Sequence, residues 1–165
     1  MGESFGAEPL VEAEPHEHHS MAIEDAVRQV KEKMPDLSIV TILLGNTVAS
    51  NAKLVDLSHE ILEKNPIFDS VMSVWQAQDD HPYRALKKND AGFLESFLGI
   101  EVQTSRQSYP PVFFYDQGVW TFRYECLGKK EGPSPWWWMG KRSFPIVRYW
   151  VTGRDIHQQL DVDYC

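Results

Sequence analysis

Two aspartates stand one residue apart in Leu160-Asp161-Val162-Asp163. Alternate residues of an extended strand share a face, so Asp161 and Asp163 present their carboxylates side by side. Such a pair suits a hard divalent cation. Mg²⁺ takes one or two carboxylates and leaves its remaining positions to phosphate oxygens and water. Solvated strand ends show the same spacing, so the pair takes its meaning from what precedes it. Other reactive side chains read more plainly. His16-Glu17-His18-His19 is too crowded for a closed metal site and reads as a solvated loop. His81-Pro82 reads as a turn, and Cys126, with no base beside it, as a small buried hydrophobe.

Charge and composition narrow the setting. The 165 residues suit one domain, and 42% hydrophobic with 12% aromatic content supports a packed core. A net charge of −8 disfavours nucleic acid as a partner. Residues 1–80 hold 15 acidic and 5 basic side chains, whereas residues 81–165 hold 9 and 11. The second half is therefore where an anionic ligand is expected. Two cysteines make no disulfide framework, which points to a reducing, cytoplasmic setting. No apolar run is long enough to span a membrane, and no membrane partner is expected.

The elements that must position these groups follow from periodicity. Ser20 is placed as the N-cap of a helix carrying Ile23, Val27 and Val30 on one face and ending before Pro35. Ser38–Leu44 is apolar and β-branched, the pattern of a strand buried on both faces of a parallel sheet. A second helix is expected from Asn51 to Lys64, and a second parallel strand over Asp69–Trp75. Tyr83–Lys87 and Phe93–Leu98, separated by Asn89-Asp90-Ala91-Gly92, predict a hairpin. A further strand is expected in Val112–Tyr115, continuing past Gln117-Gly118 into Val119–Phe122. Gly132–Pro145 reads as a loop whose Trp136-Trp137-Trp138 run serves packing. Alternating helices and strands predict an α/β fold with a Rossmann-like open sheet. The Gly-rich basic loop that such sheets place after a first strand is not found in the sequence.

Several motifs in fixed order carry a family resemblance. They are Phe68–Val74, His81–Leu86, Arg106-Gln107-Ser108-Tyr109-Pro110-Pro111, Asp116–Trp120 and Ile156–Asp163. Over roughly residues 20–163 the chain resembles the acylneuraminate (CMP-sialic acid type) cytidylyltransferases. These join CTP and an acidic nonulosonate-type sugar to give the CMP-sugar and pyrophosphate. The resemblance implies a partial nucleotide-diphospho-sugar transferase-like sheet within a single domain over residues 1–165. It also implies a β-rich dimerisation arm over residues 82–115 and a homodimer. Arg106 matches the residue expected to grip the sugar carboxylate, and Lys87 on the arm is expected near sugar oxygens. Gln117 stands where the family has the Asn of an Asn-Gly pair. Asp161 and Asp163 match the Mg²⁺-binding pair.

The departures shape the functional expectation. Where relatives have Leu-Leu-Gln-Pro-Thr-Ser-Pro, this chain has Leu43-Leu44-Gly45-Asn46-Thr47-Val48, so Asn46 is the nearest amide to the lost Gln. The family's amino-terminal phosphate-gripping loop and its helix after the Asp pair have no counterpart, as in a central portion of such an enzyme. Losing those phosphate contacts is expected to cost on the order of 10²–10³ in rate each. A cytidylyltransferase with little or no transfer by this chain alone is one expectation; a non-catalytic, dimerising or sugar-binding remnant is the other.

Overall fold

A computed structural model describes residues 6–11, 18–47 and 50–149, with the side chain of Arg106 outside the description. The element order is α1 (His19–Lys33), β1 (Ile39–Ile42), α2 (Ala52–Lys64), β2 (Ser70–Gln76), β3 (Leu86–Lys88), β4 (Leu94–Ser96), β5 (Phe113–Arg123) and β6 (Ser143–Arg148), with short 3₁₀ turns between. Four strands form one sheet in the order β1-β5-β2-β6, and β3 pairs with β4 separately. β1 and β5 are antiparallel, with Thr41 opposite Thr121. Arg123 N donates to Asp69 O and Ala77 N to Val112 O, so β2 and β5 also run oppositely. Asp69 N donates to Arg142 O just before β2 and β6 begin, so those two run together. The fold is α/β as expected, with a mixed sheet.

The described residues divide into two compact units. One holds residues 6–11, 18–42, 51–72 and 119–144; the other holds residues 43–47, 50, 73–118 and 145–149.

In the first unit, α2 forms as predicted. Asn51 caps it through a bond from Leu54 N at 3.1 Å, and Asn65 closes it before Pro66. Arg123 reaches the last turn, donating to Leu62 O at 2.6 Å and Phe68 O at 2.9 Å. α1 differs at its start. Its N-cap is His18, with no capping side chain, and Ser20 lies buried inside the first turn. A Ser ahead of an acidic run marks a start only when nothing before it continues the helix. β1 also differs. It is half-exposed at the end of the sheet order and has an antiparallel neighbour, not two parallel ones. An unbroken apolar run cannot reveal how many strands flank it.

The core of this unit contains Leu62, Val71, Trp120, Phe122, Leu127, Trp138 and Met139, all essentially inaccessible. The tryptophan run packs here as expected. Trp136 lies 4.8 Å from Trp120 and 5.5 Å from Trp138, ring centre to ring centre. Such contacts add to the area term of burial. Cys126 is fully buried, and burial pushes its thiol pKa up, so it stays protonated.

A chain of hydroxyls crosses the same core. Ser58 Oγ donates to Val55 O at 2.7 Å, so it must accept from Thr121 Oγ1 at 2.7 Å. Thr121 therefore accepts from Thr41 Oγ1 at 2.9 Å, and Thr41 from His59 Nε2 at 2.8 Å. One carbonyl thus sets the proton of every member, including the Nε2–H form of His59.

Asp69 organises the turn into β6. Its Oδ2 accepts from the backbone N–H groups of Lys141 and Arg142 at 3.0 Å each, and Arg142 Nη2 donates to Oδ1 at 2.8 Å. Gly140 is left-handed at φ 68°, and a Cβ there would lie 2.5 Å from Asp69 Cβ. The Arg142 guanidinium holds the Asp69 carboxyl below its ordinary value near 3.8. A depressed carboxylate stabilises the fold above its unfolded pKa and loses that contribution as pH falls through the folded one. Asp69→Asn should therefore cost about 2 kcal/mol at pH 7. Urea unfolding should show the gap to wild type constant above the ordinary carboxylate range and closing as pH falls below it. A gap independent of pH would disprove the ionic role.

Candidate functional site

The second unit contains the described backbone at every expected sugar-side position. At its neck Ala77 N donates to Val112 O at 2.9 Å. His81, buried, donates from Nε2 to Pro110 O at 3.0 Å and accepts at Nδ1 from Tyr83 N at 3.1 Å. Both ring nitrogens are engaged, so His81 sets a turn, as the sequence suggested. The rings of His81, Tyr83 and Tyr109 pack around it at 4.8–5.5 Å.

Beyond the neck is the predicted hairpin. Asn89 Oδ1 accepts from Phe93 N at 2.9 Å, and Gly92 is left-handed at φ 88°. Register pairs Lys87 with Glu95 and Lys88 with Leu94, so Leu86 and Leu94 share one face. Lys87 is exposed and lies 3.3 Å from Glu95 in an ion pair on the other face.

Asn46 is half-buried in a tight turn closed by Thr47 N donating to Leu44 O at 3.2 Å. Thr47 is buried, and its hydroxyl has no hydrogen-bond partner among the described residues. Ser50, in the same segment, donates its hydroxyl to Gly118 O. That bond links the Asn46 segment to the one bearing Gln117.

Gln117 lies within β5 at φ 57°, the left-handed region, half-buried. A non-glycine residue there costs roughly 1–2 kcal/mol and is uncommon unless it is Asn or Asp. The neighbouring groups over-determine this conformation. Asp116 is fully buried; its Oδ1 accepts from Gly118 N at 2.9 Å and from the Ser73 hydroxyl. Arg148 Nη1, itself almost covered, lies 3.3 Å from Asp116 Oδ2. A Cβ on Gly118 would overlap the Arg148 guanidinium and sit 2.9 Å from Ser73 Oγ. Gly118 is there for space.

Sequence reasoning singled out Gln117 and missed Asp116, Ser73 and Arg148. Only the Asp-x-Gly pattern hinted at them, since an Asp bonding the N–H two residues on is a common turn device. For Arg106 the structure describes the backbone of a 3₁₀ turn, Arg106–Ser108. Asp161 and Asp163 lie outside the described residues. Among the described residues no three His, Cys, Asp or Glu side chains are grouped to hold a metal. No described helix is long and apolar enough to cross a membrane.

No family model matches the sequence, and no curated protein matches it. A solved structure does match in fold: CMP:2-keto-3-deoxy-manno-octonic acid synthetase complexed with CTP. The likeness has a TM-score of 0.59 and covers 98% of this chain and 71% of that one, at 11% identity. At that identity it speaks to architecture alone. The chain has an α/β fold similar to that of this synthetase.

The geometry makes Gly118 the least tolerant position of the site. Gly118→Ala should destabilise the protein by about 3 kcal/mol, because the new methyl group separates the buried Asp116–Arg148 pair. Denaturant unfolding checks this, and a loss under about 0.5 kcal/mol would contradict it.

Proposed function

We propose that this chain is a cytidylyltransferase-type protein acting on CTP and an acidic ulosonate-type sugar. The observation that carries the reading is the fold likeness along nearly the whole chain to a synthetase complexed with CTP. The motif order noted above points the same way. In this reading the sugar's anomeric hydroxyl attacks the α-phosphate of CTP in line and expels pyrophosphate. Catalysis of such a step is mostly positioning and electrostatics.

Each assigned residue has a task suited to its chemistry. Arg106 binds the sugar carboxylate through its two-pronged guanidinium. Gln117 and Asn46 supply amides that both donate and accept, and Lys87 adds a positive charge for sugar oxygens. Asp161 and Asp163 are the donor set that hard Mg²⁺ takes beside phosphate; the ion would supply charge neutralisation. The protein is cytoplasmic in this reading.

Residues 82–115 are assigned as the arm of a homodimer. Support comes from their apolar surface: Leu86, Phe93, Leu94 and Phe97 are each 57–70% exposed, and a cluster of that kind calls for a cover. Leu94→Glu should convert a dimer to a monomer in sedimentation, with an unchanged circular-dichroism spectrum. A wild-type monomer at micromolar concentration would refute the assignment.

The activity test is pyrophosphate release with CTP, Mg²⁺ and a panel of eight- and nine-carbon acidic sugars. Release should depend on the sugar and fall by about 10²–10³ in Asp161→Ala. Sugar binding without release would select the second reading, a dimerising sugar-binding protein. A folded sample that neither binds nor turns over would overturn both.

A further inference from the structure

We infer that Asp116 is a positioning residue: with Ser73 and Arg148 it holds Gln117 in its left-handed conformation and so fixes the Gln117 amide for the sugar. The ligand half of this inference rests on the functional reading above; the conformational half does not.

The argument starts from a mismatch between residue and backbone. Asn tolerates φ near +60° because its short side chain bonds locally; Gln, one methylene longer, has no such help. The resembling family places Asn here, whereas this chain keeps the amide on a residue that the backbone disfavours. Left-handed geometry at Gln117 therefore has to be imposed from outside. Strain of this kind persists only where the surroundings over-determine it, and it gathers at functional sites.

Four segments supply the constraint. Asp116 Oδ1 takes the Gly118 N–H at 2.9 Å, which closes the backbone around Gln117 from the inside. The Ser73 hydroxyl from β2 donates to the same oxygen, and Arg148 from β6 balances the other at 3.3 Å. Ser50 holds the Gly118 carbonyl from the far side. A carboxylate with essentially no exposure is costly unless paired and bonded, and Asp116 has both kinds of partner. Packing alone would be served by an apolar residue. The charged pair instead directs two oxygens at defined positions, and the residue between those anchors is Gln117.

Two readouts test the inference on the full chain. The first needs no ligand: backbone ¹³C shifts of Gln117 report its left-handed geometry. They should move to extended values in Asp116→Ala and remain left-handed in the Asp116→Ala, Gln117→Asn double variant. Unmoved Gln117 shifts in a folded Asp116→Ala protein would overturn the positioning role. If that variant does not fold, Ser73→Ala removes one anchor and carries the same expectation and the same refutation.

The second readout is kinetic, with N-acetylneuraminate and 2-keto-3-deoxy-manno-octonate as probes. Asp116→Ala should raise KM for the accepted sugar about tenfold with kcat within roughly threefold, and Gln117→Asn should recover most of the loss. Equal loss in both constants without recovery would overturn the ligand half. A wild-type chain that neither binds nor turns over either sugar defeats the functional reading and the ligand half with it. The carbon shifts then decide the conformational half by themselves.

Discussion

Strand β5 lies between β1 and β2, and its residues cannot all follow one regular ladder. Gln117 departs from extended geometry, and a departure inside a sheet strands backbone groups that water cannot reach. Asp116 resolves this locally by accepting the Gly118 N–H, and Ser50 by donating to the Gly118 carbonyl. Once a carboxylate is buried for that task, Ser73 and Arg148 give it a hydrogen bond and an ion-pair partner. The size of residue 118 then follows, because the guanidinium occupies the place of a side chain.

The first unit solves a similar problem with another aspartate. Asp69 gathers two backbone N–H groups and a guanidinium, so the turn before β6 is held by charge-assisted bonds. Arg142 has a well-exposed side chain, so its pairing is partly screened, whereas the backbone donors are more sheltered. The chain from His59 to Val55 is built of hydroxyls between an imidazole N–H and a carbonyl. It spans β1, β5 and α2, and its direction is dictated by a carbonyl that can only accept.

These arrangements bear on function through rigidity. A side chain that must meet a ligand within a few tenths of an ångström is better placed on a strand than on a free loop. Gln117 is on a strand, between two residues held by Ser73, Arg148 and Ser50. Lys87 is on an exposed hairpin and already paired with Glu95, so a ligand would compete with that carboxylate. Of the described residues proposed to touch sugar, Gln117 is thus the most pre-organised.

Local chemistry made much of the fold readable. Asn51 and Pro66 bracket α2, Asn89 and Gly92 specify the hairpin, and β2, with Val71, Met72 and Val74 among small serines, is buried over its first five residues. Each of these signals acts over a few residues, which is the range over which a linear pattern carries energy. The order β1-β5-β2-β6 and the exposed place of β1 were not readable, because strand neighbours are chosen by loop closure and packing across some 80 residues. Gln117 could be picked out as a residue type beside a glycine. Its strained backbone and the Asp116–Ser73–Arg148 support exist only after three distant segments meet, since a buried charge is defined by what surrounds it.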